Sequence, residues 1–210
     1  VERLIEACEK TCRTDYVLHF GFDDDDPIVK DAAAWASPRN QVSVGPRKGL
    51  GAWTNHLAAY WLGAKPRPLA LASLGDDHVP ETDGWDEILM SGLPERGGFT
   101  YPNDLRRTDI PEAVVISTPI VAALGWMCLP ALRHWHLDVV WADLGWATDS
   151  IRFCPEVIVR HAHPLVDKTV PHDATYGDAA ADWDADLAAY QKWRLYGMRQ
   201  DIATVAKVTG

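Results

Sequence analysis

Basic residues are scarce beside acidic ones in this chain: 20 Lys and Arg stand against 30 Asp and Glu, a formal net charge of −10 over 210 residues. Gripping a nucleic-acid backbone takes clustered cations that displace counterions, so this balance argues against strong nucleic-acid backbone binding. An acidic substrate would need a bridging metal or a local basic loop. Cysteine is sparse too. Cys8, Cys12, Cys128 and Cys154 show no framework spacing, which argues against a disulfide scaffold and fits reduced thiols in a cytoplasmic setting. A continuous membrane-length apolar helix is also missing. The nearest candidate, residues 113–132, is divided by Pro119, Gly125 and Pro130, with Ser117 and Thr118 inside it; it reads as a buried strand followed by a short helix, so no membrane span is expected. No signal peptide, repeat, low-complexity tract or linker stands out, and one domain over residues 1–210 is the simplest expectation.

What the chain does have is ample apolar content, 47%, arranged in alternating periods. VERLIEACEKT has helical spacing, and YVLHFGF reads as a strand running into Asp23 to Asp26. QVSVG is a short strand, and GPRKGLG is a glycine-bearing loop opening a helix around Trp53 and Leu57. PLALASL, AVVIST, IRFC and EVIVRH read as further strands; WDEILMSGL and LDVVWADLGW read as helices. Residues 97–104 read as a loop, and residues 182–208 as one long C-terminal helix with acids early and bases late, as the helix dipole favours. This alternation predicts an α/β fold with a mainly parallel central sheet flanked by helices.

In open α/β sheets ligands bind beyond the carboxyl ends of the strands. Two acidic clusters fall at such ends, Asp23 to Asp26 and Asp76–Asp77–His78. Each alone suits a solvated turn or a helix cap. Together they would converge on one rim and repel unless a cation or donor groups offset them. VIVRHAHP ends a strand with His161 and His163 on one face. Carboxylates and imidazoles together suit Mn²⁺ or Mg²⁺, although the histidines could equally cap the strand or bond to nearby acids.

Read together, FDDDDP, GPRKGLGAWTN, LGDDH and HLDVVWADLGWATDSIRFCPEVIVRHAHP resemble the family 2 glycosyltransferases of GT-A fold, and within them soluble bacteriophage-encoded members. The resemblance runs from Val1 to about Tyr176 and leaves out the final helix. It implies a GT-A-like domain with a nucleotide-sugar-binding half over about 1–110 and an acceptor and catalytic half over about 111–176. Asp23 or Asp24 would contact the nucleotide base. Asp76 would meet the ribose, and Asp77 would be a metal ligand, with His78 in place of the usual final acid. Lys48, Gly49, Gly51 and Asn55 match the loop that approaches the diphosphate. Asp138 matches the catalytic base on spacing, since Leu137 replaces the leading acid of the usual pair; Asp143 is its competitor. In the family a strand precedes the first helix, where this chain starts.

The resemblance further implies transfer of a sugar from a nucleoside-diphosphate sugar, with inversion, to an acceptor hydroxyl on a protein, glycan or modified nucleobase, in the cytoplasm of a host cell. Asp77 with His161 or His163 would hold the cation. Ten Trp are present, and Trp126, Trp135, Trp141 and Trp146 flank the expected base, where they could pack a core or face a sugar. Two other readings use the same residues. One is a metal-dependent phosphoester hydrolase on Asp76, Asp77, His161 and His163; the other is a non-catalytic sugar-binding or virion-associated module.

Overall fold

A computed structural model describes residues 1–162 and 181–210. Helix α1 (Glu2–Thr11) buries Leu4, Cys8 and Thr11, one stripe at helical spacing. Strands β1 (Leu18–Asp23) and β2 (Asn40–Gly45) form a parallel two-stranded sheet in register Leu18↔Asn40 to Asp23↔Gly45, joined through α2 (Val29–Trp35). Helix α3 (Leu50–Leu62) follows.

The larger sheet contains β3 (Ala70–Ser73), β4 (His78–Pro80), β5 (Phe99–Asn103), β6 (Val114–Ser117) and β7 (Ile151–His161), in spatial order β3-β6-β5-β7-β4. Helices α4 (Trp85–Gly92), α5 (Thr118–Leu124) and α6 (Leu137–Ala147) lie between its strands in sequence. The two C-terminal helices are α7 (Trp183–Tyr196) and α8 (Met198–Thr209).

The fold is therefore α/β, but its large sheet is mixed rather than mainly parallel. Only β5 and β7 run parallel; β3 with β6, β5 with β6, and β4 with β7 are antiparallel. The physical reason is burial on both faces. Val114 and Ile116 enter one core with Phe99, Ile120, Val140, Leu144 and Val205, while Val115 enters another with Leu4, Cys8, Trp85, Leu89 and Val157. A strand covered on both sides reads as a continuous apolar run whichever way its neighbours point.

Three local expectations change as well. Residues 99–103 are not loop but a central strand; the flanking Gly97–Gly98 and Pro102–Asn103 hid the alternating Phe99, Thr100 and Tyr101. IRFC and EVIVRH are one strand, β7, whose pairing with β5 jumps from Pro102↔Cys154 to Asn103↔Ile158, so that Pro155 sits in a bulge where no ladder bond is needed. The expected long C-terminal helix is two helices broken at Gly197, where an added Cβ would stand 2.8 Å from the Trp193 ring. Trp193 Nε1 donates to Asp201 Oδ2 across that break at 2.8 Å. Among the described residues no helix is long and apolar enough to cross a membrane.

Candidate functional site

Strand β3 leaves the sheet through a turn in which His78 N–H donates to the Gly75 carbonyl at 3.1 Å. Glycine is required here by space: a Cβ on Gly75 would come within 2.5 Å of Asp77 Oδ1 and 2.8 Å of His78 Nδ1. The turn presents Asp77 to the end of β7, which β4 brings alongside by pairing His78 with His161. The two imidazoles stack with centroids 4.3 Å apart.

His161 stands between two carboxylates. Its Nε2 is 3.0 Å from Asp77 Oδ2, and its Nδ1 is 2.6 Å from Glu112 Oε2. Arg106 Nη1 also reaches Glu112 Oε2, at 3.2 Å. Arg106 Nη1 lies 3.1 Å from His161 Nδ1 as well, but the shorter contact directs the Nδ1 proton to Glu112. Burial alone would discharge His161; hydrogen bonds to Asp77 and Glu112 outweigh it and push the imidazole up to about 9. Burial would likewise raise both acids. The hydrogen bond from His161 reverses that, holding Asp77 well below the ordinary carboxylate range and bringing Glu112 down to about 2.

Behind Glu112 lies Asp104, 2% exposed. Its Oδ1 accepts the amides of Arg106 and Arg107 at 2.7 Å each. Burial and then the Glu112 charge raise its carboxyl, against those two amides.

Two groups here have ligand atoms within 4.8 Å of one another: Asp77, His78 and His161, and Asp104, Glu112 and His161. The second already holds the Arg106 guanidinium, so the first is the better seat for a cation. In the free protein neither imidazole of this group offers a lone pair to an ion, since Asp77 and Glu112 engage both nitrogens of His161 and His78 Nδ1 accepts the Gly75 amide. Gly75 N–H donates to His78 Nδ1 at 2.9 Å, which leaves the ring proton on Nε2, an atom with no partner among the described residues. Asp77 Oδ1 and His78 Nδ1 then face each other as two acceptors 3.3 Å apart. Such an arrangement is relieved by a positive charge close to both.

Asp138, the expected base, lies in the first turn of α6, and its Oδ1 accepts the Val139 amide at 2.8 Å. Burial raises its carboxyl, the Val139 amide opposes this, and the nearby Glu112 charge adds to the rise. The Glu112 charge is thus felt at Asp138. Its competitor Asp143 is turned to α7, where it accepts the Tyr190 hydroxyl at 2.7 Å. Of the flanking tryptophans, Trp141 is buried with its Nε1 bonded to the Met127 carbonyl at 2.7 Å, and Trp146 is exposed.

The residues expected to meet the nucleotide lie at the end of the parallel pair. Asp23 Oδ1 accepts Trp53 Nε1 at 2.7 Å and the Lys48 amide at 3.2 Å, while Lys48 Nζ sits 4.1 Å from the centroid of the Trp53 ring. Asp24 is exposed beside them. Gly49 adopts φ 78° and ψ 162°, an extended positive-φ conformation open essentially to glycine alone, and opens α3. Asn55 is differently employed. Its Oδ1 accepts the amides of Met127 and Cys128, and its Nδ2 donates to the Cys128 carbonyl, so its polar atoms hold the 127–128 backbone. Asp76 is exposed at the Gly75 turn; His163 lies outside the described residues.

Sequence reasoning missed Glu112, Asp104 and Arg106. Glu112 sits in a Pro-Glu-Ala stretch before β6 with no periodic signal, and Asp104 directly follows β5, a strand with the turn residues of a loop. Compared with protein-family models, characterised proteins and solved structures, the chain matches none.

Proposed function

We propose that this chain is a GT-A-like, divalent-metal-dependent glycosyltransferase that moves a sugar from a nucleoside-diphosphate sugar to an acceptor hydroxyl. The observation that carries the reading is the meeting of Asp77 with His161 at 3.0 Å, beside the turn after β3, with Glu112 on the opposite ring nitrogen and its charge felt at Asp138. Asp77 and, once its Nε2 proton is released to solvent, His161 would hold Mn²⁺ or Mg²⁺, with the His78 ring stacked on that of His161. When bound, such an ion supplies positive charge to a departing diphosphate. Asp23 keeps Lys48 and Trp53 in place at the nucleotide end, and Lys48 offers an ammonium to the phosphates. Asp138, its carboxyl raised by burial, takes the proton from the acceptor hydroxyl as it attacks the sugar. The arrangement answers the charge problem of an acidic protein taking an acidic substrate.

The test is incubation with Mn²⁺ and a panel of UDP-, GDP- and dTDP-sugars, following nucleotide release with and without added acceptors. Metal-dependent release of nucleoside diphosphate is expected. Release of inorganic phosphate from simple phosphoesters would instead identify a hydrolase, and stabilisation by no nucleotide would identify a binding module.

A further inference from the structure

Asp186, in the first turns of α7, is 1% exposed, and its carboxylate accepts three consecutive backbone amides from another part of the chain: Arg133 at 2.9 Å, His134 at 2.8 Å and Trp135 at 2.7 Å. Its neighbour Asp182 pairs with the Arg133 side chain at 3.3 Å. The clamped segment is a joint between the two ends of the site. On one side the Arg133 carbonyl accepts the Gly51 amide at 2.8 Å, and a Cβ on Gly49 would lie 3.3 Å from that same carbonyl. Gly51 fits against Leu132 only because it lacks a side chain, since a Cβ there would stand 2.6 Å from the Leu132 carbonyl. Residue 133 thus seats the turn that carries Lys48. On the other side the segment runs through His136, at φ 65°, directly into Leu137 and Asp138.

We propose that Asp186 is a positioning residue of the site: through the 133–135 backbone it sets the Lys48–Gly51 turn in register with Asp138, so that the C-terminal helix is a working part of the site rather than an appendage. The inference rests on the transferase reading for the ligand, but not for the coupling itself. Three amides on one buried carboxylate fix both the height and the orientation of the loop, because each hydrogen bond constrains the next peptide plane. In Asp186→Asn one oxygen is replaced by an N–H facing these donors, so the loop loses bonds on that side while side-chain volume is unchanged.

The experiment has two arms. In the first, amide hydrogen exchange is compared between wild type and Asp186→Asn. Exchange at Arg133 to Trp135 is expected to quicken, and exchange at Lys48 and Gly51 to quicken with it by about tenfold or more, while the amides of α1 and α4 are unmoved. Unchanged Lys48 and Gly51 amides would overturn the proposal whatever the ligand. In the second arm, pyrophosphate affinity in the presence of Mn²⁺ is measured for wild type, Asp186→Asn, Gly51→Ala and the double variant. A loss of about tenfold in each single variant, with a double variant scarcely worse than either, is expected if both act through one joint. Additive losses would overturn it. Failure of the wild type to bind pyrophosphate with Mn²⁺ would contradict the transferase reading, and the exchange arm would still decide the role of Asp186. Should Asp186→Asn not fold, Gly51→Ala read by exchange at residues 133–135 tests the same coupling from the other side.

Discussion

Asp77 and His161 lie 84 positions apart and meet through Oδ2 and Nε2 at 3.0 Å, with Glu112 closing on the opposite ring nitrogen at 2.6 Å. An imidazolium between two carboxylates supplies, in the free protein, the positive charge that a metal and its ligand would otherwise bring.

The network makes stability depend on pH. His161 titrates at about 9 in the fold against 6.5 as a free group, so its contribution is complete below about pH 6.5 and disappears as pH rises through 9. Glu112 runs the other way: it moves from 4.5 to about 2, so its contribution is present above pH 4.5 and is lost as pH falls toward 2. Urea unfolding in chelator should show wild type losing roughly 2–3 kcal/mol between pH 6 and 10 through His161. His161→Gln should lack that alkaline loss; an identical slope in both proteins would contradict the network.

Gly75→Ala places a methyl against the Asp77 carboxylate and the His78 ring, at 2.5 and 2.8 Å before relaxation. The turn must open, with a penalty of about 1–3 kcal/mol and displacement of Asp77. Manganese titration followed by electron paramagnetic resonance should show affinity reduced about tenfold or more. Unaltered affinity would mean that Asp77 does not bind the ion.

Asn55→Ala separates a structural role from a ligand-contacting one. It leaves the Met127 and Cys128 amides and the Cys128 carbonyl without their partner, and stability should fall by about 2–3 kcal/mol in urea. Nucleoside-diphosphate affinity, measured where the variant is still folded, should stay near wild type. A large affinity loss at unchanged stability would return Asn55 to the diphosphate.

Asp138→Asn keeps shape and removes the proton acceptor. Transfer should fall by about a thousandfold while Mn²⁺-dependent nucleotide binding holds near wild type, a split between kcat and affinity read by steady-state kinetics and calorimetry. Loss of binding instead would place Asp138 on the donor side.

Much of the layout was legible because it depends on local period. The strand end at Asp23, the acids that follow β3 and the strand position of His161 follow from alternation and from acids placed after apolar runs. Strand direction was not legible, since Val114, Val115 and Ile116 are buried on both faces and carry no mark of their neighbours' sense. Nor was Asp186, which looks in sequence like any acid in the first turns of a helix; its work is done on amides 51 to 53 positions away. Glu112 escaped for the same reason. A side chain recruited by tertiary contact leaves no period, so only the fold could bring Glu112 to His161.

The most direct test is calorimetric titration of UDP and GDP into wild type and Asp77→Asn, each with Mn²⁺ and with chelator. Wild type should bind one of these nucleotides only when Mn²⁺ is present, and Asp77→Asn should bind neither while unfolding with the cooperativity of wild type. Equal nucleotide binding in chelator, or in Asp77→Asn with Mn²⁺, would contradict a cation held by Asp77 and His161.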